Sequence, residues 1–293
     1  VDIPAFKKLV IFGVGLIGGS VALALKKAGC TAQIVGVGRS SQSLQTALDS
    51  GVIDVATSNI GDALLNADIV LIAAPVAQTP AILNSIKPHL TATMVITDAG
   101  STKSDVLTCA KEILGTQFRQ FVGGHPIAGA EKSGVTAATA DLYLNKNVVL
   151  TPTPETTDQS TQIVRQLWQA CGANVSEMSA ETHDGIFAAV SHLPHLLAFA
   201  LVDEVASRPN AEQLFGFAAS GFRDFTRIAG SHPEMWRDIS LANRTALLNE
   251  ITAYQNELAH LKALLEHNDG DGLHALFDRA SIARNNWVNA KKL

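Results

Sequence analysis

One local pattern restricts this chain more than any other. Gly13-Val-Gly15-Leu-Ile-Gly18 stands between a short apolar run at 9–12 and a helical pattern that continues to about residue 27. Glycines at these places permit a tight turn and let a pyrophosphate approach the backbone N–H groups at the helix start, where the helix dipole favours an anion. With a strand before it and a helix after it, the pattern reads as a dinucleotide-binding turn rather than merely a glycine-rich one. The uncharged run 9–25, flanked by Lys7-Lys8 and Lys26-Lys27, superficially resembles a signal peptide or membrane anchor. Gly13, Gly15, Gly18, Gly19 and Ser20 within it fit a soluble nucleotide fold instead, so no membrane association is expected.

Apolar runs then alternate with helical patterns. Strands are expected at 9–12, 34–37, 69–74, 94–97, 121–122, 147–150 and 174–175, and helices at 43–49, 79–86, 103–114 and 161–170. This is the rhythm of a parallel sheet with crossover helices. Beyond Ala180 strand signals vanish, and apolar-periodic segments at 181–207, 211–221, 234–266 and 271–289 predict an all-helical region. The expected fold is therefore α/β: a Rossmann-type dinucleotide-binding domain over 1–179, then an all-α domain over 180–293. A length of 293 residues suits two domains. A formal charge of −5 with 17% charged residues gives no nucleic-acid footprint, so an anionic ligand must be held by local positive charge. Cys30, Cys109 and Cys171 are odd in number and widely spaced, which fits a reducing cytoplasm and buried packing roles.

The chemistry-bearing residues fall in a few clusters. The second strand ends Gly38-Arg39-Ser40-Ser41, with no carboxylate for the ribose hydroxyls and a guanidinium beside two hydroxyls. NADP is therefore favoured, with NAD the alternative. Dinucleotide contacts are expected from Gly13, Gly15, Leu16, Ile17, Gly18, Arg39, Ser40, Ser41, Ala74 and Pro75. Asp98-Ala-Gly-Ser101-Thr-Lys103 follows another strand at the edge where open α/β sheets bind ligands. Ser101 is either a reactive-site hydroxyl or the N-cap of a helix starting at Thr102, and the two roles are compatible. In Gly123-Gly-His125-Pro, glycines permit close approach of backbone and ligand, and proline stiffens the exit. His125 should open on the same crevice as Ser101, across the nicotinamide.

Ser191-His-Leu-Pro-His195 puts Ser191 and His195 on one helix face and turns His192 elsewhere. Pro194 is expected to kink a helix running from about 181 to 208. The pair has no third ligand or cysteine cluster, so no metal is expected. Gly221 to Trp236 is dense in groups that hold carboxylates. Arg227 is the candidate anion clamp, or else a surface arginine paired with Asp224 or Glu234. His267-Asn-Asp-Gly-Asp-Gly272 echoes a calcium loop but reads better as a helix-to-helix turn.

Five motifs in order (GVGLIGGS at 13–20, DAGSTK at 98–103, GGHPIAGAEKSG at 123–134, SHLPH at 191–195 and GFRDFTRIAGSHPEMW at 221–236) resemble the prephenate/arogenate dehydrogenase family over nearly the whole chain. The resemblance implies NAD(P)-dependent oxidative decarboxylation of a small molecule, prephenate and/or arogenate, in tyrosine biosynthesis. It makes His125 the base that takes the ring hydroxyl proton, with Ser101 hydrogen-bonded to that hydroxyl and to the imidazole. Such a base must be neutral, so activity should fall at acid pH. Arg227 is implied to bind a substrate carboxylate, Ser191 and His195 to line the side-chain end of the pocket, and Glu131, Asp224 and Trp236 to form its polar rim. The resemblance further implies a homodimer through the helical domain, with residues near Trp236 reaching a neighbouring site. Many members carry Thr where this chain has Ala130, which leaves keto-acid versus amino-acid preference open.

Two other readings stand beside this one. A β-hydroxyacid dehydrogenase shares the two-domain plan but ordinarily uses a lysine from the helical domain, where this chain offers His195. A non-catalytic dinucleotide sensor would make His125 and Arg227 structural.

Overall fold

Along β1 (Lys8–Phe12), Leu9 and Ile11 enter one apolar core while Val10 and Phe12 enter another. Successive side chains leave opposite faces of a strand, so one buried on both faces needs helices on both sides of its sheet. The computed structural model describes residues 6–130 and 132–290, so the expectation for Glu131 falls outside the described residues. Seven further strands follow: β2 (Gln33–Val37), β3 (Val55–Thr57), β4 (Ile69–Ile72), β5 (Val95–Asp98), β6 (Phe121–Pro126), β7 (Asn147–Thr151) and β8 (Asn174–Glu177). They form one sheet in the order β3-β2-β1-β4-β5-β6-β7-β8.

The six strands from β3 to β6 pair in parallel, so the carboxyl ends of β1, β2, β4, β5 and β6 share one edge. The strand order changes direction beside β1, which is where such sheets open a ligand crevice. The sheet is mostly parallel, as expected of a Rossmann-type domain; it departs from this at β7, which runs antiparallel to β6, with β8 parallel to β7. Strand β3 was not foreseen, because three edge residues carry too little periodicity to register.

Helices α1 (Leu16–Lys27), α2 (Ser41–Asp49), α3 (Ile60–Leu64), α4 (Thr79–Ile86), α5 (Ser104–Leu114) and α6 (Asp158–Ala170) connect the strands. Next come α7 (Ala180–Phe187), α8 (Leu193–Ala206), α9 (Ala211–Gly216), α10 (Ser220–Thr226) and α11 (Pro233–Ala242). The kink expected at Pro194 takes the form of a π-helical turn at Ala188–His192 that joins α7 to α8. Proline cannot donate to the carbonyl four residues back and its ring crowds that carbonyl, so the helix widens just ahead of it. The continuous run Ala180–Ala206 has 27 residues, and an 18-residue window within it has a mean hydropathy of 1.8, enough by length and composition to cross a membrane. It also carries His183, Asp184 and His192, all buried and hydrogen-bonded to other elements of the chain, which is the pattern of a helix packed against protein.

Two compact units divide the chain, Val1–Arg244 and Thr245–Leu293. The segment expected as one helix over 234–266 breaks at Asn243, where α11 ends and α12 (Arg244–Glu266) begins. In the second unit a short turn leads from α12 into α13 (Gly270–Ala290). Asn268 takes a left-handed φ of 50° there, and Asp269 accepts from the Gly272 N–H at 2.8 Å. The calcium-like spacing is thus a helix-to-helix turn. Among the described residues no group of three or more His, Cys, Asp or Glu side chains is placed to hold a metal.

Candidate active site

The turn between β1 and α1 is shaped by three glycines with three different surroundings. Gly13 has φ +95°, and a Cβ there would stand 2.7 Å from the Ala73 carbonyl oxygen. A Cβ on Gly18 would meet the Gly13 carbonyl oxygen at 2.3 Å and Ile11 Cγ2 at 2.7 Å. At Gly15 a Cβ would meet nothing within 4 Å. The first glycine makes the turn, the last lets helix and strand touch, and the middle one faces open space at the start of α1. No side chain caps that helix and no acidic residue occupies its first turn, so its first N–H groups are left for an anion.

Beside this turn lies a cavity of about 650 Å³ lined by Gly13, Gly15, Arg39, Ser40, Ala74 and Pro75 among others. These are six of the ten residues expected to contact a dinucleotide. Leu16, Ile17, Gly18 and Ser41 do not line it. Gly18 is buried beneath the turn, and the Ile17 carbonyl accepts from the Tyr143 hydroxyl at 2.7 Å. Polar residues not foreseen, Ser43, Ser58, Gln78 and Ser85, complete the wall. The Ser40 hydroxyl caps α2 by accepting from the Ser43 N–H at 3.2 Å. The cradle fits a dinucleotide: the Cβ-free middle glycine and the uncapped helix face where a pyrophosphate would lie, and none of the described lining residues is acidic.

Further along the same edge, β5 ends in Asp98, whose side chain ties two strands together. Its Oδ1 accepts from the Gly124 N–H at 3.0 Å, and its Oδ2 accepts from the Gly100 N–H at 2.8 Å and from Lys103 Nζ. Lys103 and Asp98 are both buried, so each charge is compensated by the other, and the carboxylate also by the Gly100 and Gly124 N–H groups. The glycines ahead of His125 were expected to make room for a ligand. They make room for neighbouring strands: a Cβ on Gly123 would lie 2.4 Å from Thr151 Oγ1, and one on Gly124 2.7 Å from the Asp98 carbonyl oxygen.

His125 is the penultimate residue of β6, at the sheet edge where Ser101 follows β5. Its Nδ1 lies 2.8 Å from His183 Nε2, and His183 Nδ1 lies 2.8 Å from Asp184 Oδ1. The Nδ1 position being taken, any contact between Ser101 and this imidazole falls to Nε2. The N-cap role for Ser101 is corrected: α5 starts at Ser104, and its first N–H groups go to the Asp184 carboxylate, from Lys103 at 2.9 Å and Ser104 at 2.8 Å. A carboxylate from α7 thus caps α5 in place of the serine. Asn243 Nδ2 donates to the Asp184 carbonyl at 2.8 Å and lies 3.0 Å from His192 Nδ1.

Burial sets the protonation of this cluster. It holds His125 well below the ordinary histidine value, with His183 and Lys103 adding to the shift. The same cause lowers His183, outweighing its bond to Asp184, and pushes His192 down to about 4. For Asp184 burial acts upward, but the hydrogen bonds from His183, Ser104 and Lys103 together bring it below its usual value. His183, Asp184 and Asn243 went unforeseen because only the fold brings them to His125 and His192.

The other expected substrate residues group around α8 and α11. His195 Nδ1 donates to the Ser191 carbonyl at 3.0 Å, and its ring stacks on Trp236 at 3.6 Å with an interplanar angle of 19°. Burial lowers the His195 pKa, and the nearby Arg227 charge adds to the effect. His192 turns away from this face into the core, as expected. Trp236 is buried, and its Nε1 has no hydrogen-bond partner among the described residues. Asp224 is exposed on α10.

Two family models cover most of the sequence: the prephenate dehydrogenase nucleotide-binding domain matches residues 21–177, and the prephenate dehydrogenase dimerization domain matches residues 179–279. The chain belongs to the prephenate dehydrogenase family. It is 39% identical to the prephenate dehydrogenase of Bacillus subtilis over 94% of this chain and 75% of that one. It is 34% identical to the cyclohexadienyl dehydrogenase of Zymomonas mobilis over 95% of each. The crystal structure of Aquifex aeolicus prephenate dehydrogenase in complex with hydroxyphenyl propionate and NAD+ superposes with a TM-score of 0.91 at 38% identity, covering 96% of this chain and 98% of that chain. This family membership places the chain among oxidoreductases with a nucleotide-binding sheet domain followed by a helical domain.

Proposed function

We propose that this member of the prephenate dehydrogenase family carries out the oxidative decarboxylation of prephenate and/or arogenate, giving 4-hydroxyphenylpyruvate and/or tyrosine. The observation that carries this reading is His125, held neutral by burial at the ligand-binding edge of the sheet, in a chain that matches the family in both its sheet and its helical parts. The cofactor is a nicotinamide dinucleotide, held by the Gly13–Gly18 turn and the cavity wall, with NADP preferred to NAD because Arg39, Ser40 and Ser43 line that wall without a carboxylate. When bound, the nicotinamide accepts the hydride that leaves the ring carbinol carbon.

His125 takes the hydroxyl proton as that hydride departs. The ring carboxylate leaves as carbon dioxide, its bonding pair enters the ring, and the proton returns to the oxygen of the aromatic product. Ser101 orients the hydroxyl against the imidazole. Arg227 holds a substrate carboxylate, while Ser191 and His195 line the side-chain end, with Glu131, Asp224 and Trp236 at the rim. In this reading the dinucleotide domain covers 1–179 and the helical domain 180–293. The most apolar 18-residue window of the helix run Ala180–Ala206, only 28% of it buried, supports burial of that helix against a second copy in a cytoplasmic homodimer.

The test is reduction of NADP and of NAD by the purified protein with prephenate and arogenate supplied separately. Turnover of either substrate is the expected result. Folded protein that binds dinucleotide but turns over neither would point back to the hydroxyacid dehydrogenase or the sensor.

A further inference from the structure

Between β6 and α7 runs a chain of ring-to-ring and ring-to-carboxylate bonds whose hydrogen directions are forced from one end. Asp184 is ionised and therefore accepts only; it receives the N–H groups of Lys103 and Ser104 and the Nδ1 of His183. His183 Nδ1 must then carry a hydrogen. Because burial keeps His183 neutral, its Nε2 is bare and accepts from the atom 2.8 Å away, His125 Nδ1. A neutral His125 with its hydrogen on Nδ1 has a lone pair on Nε2. We infer that His183 and Asp184 are positioning residues that lock His125 in the tautomer whose Nε2 accepts the substrate proton.

The inference rests on His125 being the base of the proposed reaction. Ring contacts and a backbone bond brace the pair. Phe187 packs edge-on to His125 at 4.8 Å and against His183 at 4.5 Å between ring centroids, and Asn243 anchors the Asp184 backbone carbonyl. With Asp184 also capping α5, the relay is tied to the helix that follows Ser101, so base and serine are referenced to the same helix start. As His125 takes a proton, its Nδ1–H stays directed at His183, and the positive charge is met by an acceptor chain that ends on a carboxylate.

Two experiments test this. Long-range proton–nitrogen correlation NMR on protein labelled with ¹⁵N-histidine, with His125→Asn used to assign the signals, should show His125 protonated at Nδ1 and bare at Nε2 at neutral pH. A hydrogen on Nε2, or an even mixture, overturns the inference. Alongside, His183→Leu removes the acceptor, while His183→Gln can present an amide oxygen in place of Nε2. The leucine variant should lose roughly 10²–10⁴-fold in kcat with the substrate KM and dinucleotide affinity little changed, and the glutamine variant should recover about tenfold or more over it. Equal kcat for the two variants, or a leucine variant as active as the parent, also overturns it. Should the leucine variant not fold, the NMR result decides. Absence of turnover by the parent protein would defeat the proposed reaction, while the NMR would still read the relay.

Discussion

Two stretches of one sheet edge are built by different means. At the β1–α1 turn the chain uses backbone: glycines at 13, 15 and 18, a left-handed φ and an uncapped helix start, all within one short segment. At the end of β6 it uses side chains from remote elements, since His125 meets His183 58 residues away and Asp184 reaches Lys103 across 81. A backbone cradle tolerates change outside its glycines but none within them. A relay of side chains tolerates neighbours but loses its chemistry when one link changes. The two halves of the site should therefore fail separately, and in different observables.

The sharpest division should come from His125→Asn. Removing the base is expected to cost roughly 10²–10⁴-fold in kcat, while dinucleotide affinity, measured by fluorescence titration, stays within about twofold because the binding turn lies elsewhere on the edge. Equal losses in kcat and dinucleotide affinity would show the two regions to be one coupled unit.

Within the turn, two glycines distinguish packing from binding. Gly18→Ala forces a Cβ to within 2.3 Å of the Gly13 carbonyl oxygen, and such overpacking should lower stability by about 1–3 kcal/mol in chemical denaturation. Gly15→Ala adds a methyl group to open space, so stability should move by no more than about 0.5 kcal/mol. Its dinucleotide affinity should nevertheless fall, because the new Cβ occupies the approach to the N–H groups of α1. If Gly15→Ala destabilises as much as Gly18→Ala, the middle glycine is a packing residue and the assignment of the anion site to it is wrong.

This contrast also explains what was legible in the sequence. The glycine turn could be read because its physics is local: strand, turn and helix are contiguous. The parallel sheet up to β6 was legible for the same reason, through repeated strand-helix units. The reversal at β7 left no local mark, because a strand reads alike in either direction and only its partner sets the sense of pairing. Ser101 looked like a helix cap, a local rule, yet the cap comes from Asp184 on a helix far along the chain. His183 and Asn243 carried no motif at all. Histidine and asparagine in helical segments are ordinary, and what makes these two matter is proximity that only tertiary packing creates.

Acid titration probes the relay directly. His125, His183 and His192 all have folded-state values below the ordinary histidine value, chiefly through burial, with His192 at about 4. The unfolded chain therefore binds protons that the folded chain refuses. Stability is fully present above the unfolded value of about 6.5 and is lost as pH falls from there toward the folded values. His192 alone should cost about 1–3 kcal/mol across that window, readable as a falling urea midpoint. If His125 is the base proposed above, the same lowering places the acid limb of kcat/KM well below pH 6.5 rather than at it. A limb near 6.5 together with a flat stability profile would mean that these imidazoles are open to solvent.

The smallest effect is expected at the far side of the cavity. Arg39 is exposed and lines the wall with Ser40 and Ser43, so its attraction for a 2′-phosphate is screened by water and worth about 1 kcal/mol. Arg39→Ser should therefore raise the KM for NADP about five- to tenfold while leaving that for NAD nearly unchanged. The increase should shrink with added salt, since an exposed charge pair weakens as the Debye length shortens. A variant in which both cofactors weaken together would show that Arg39 supports the fold of the β2–α2 turn instead of reading the phosphate. Cofactor choice would then rest with the hydroxyls beside it.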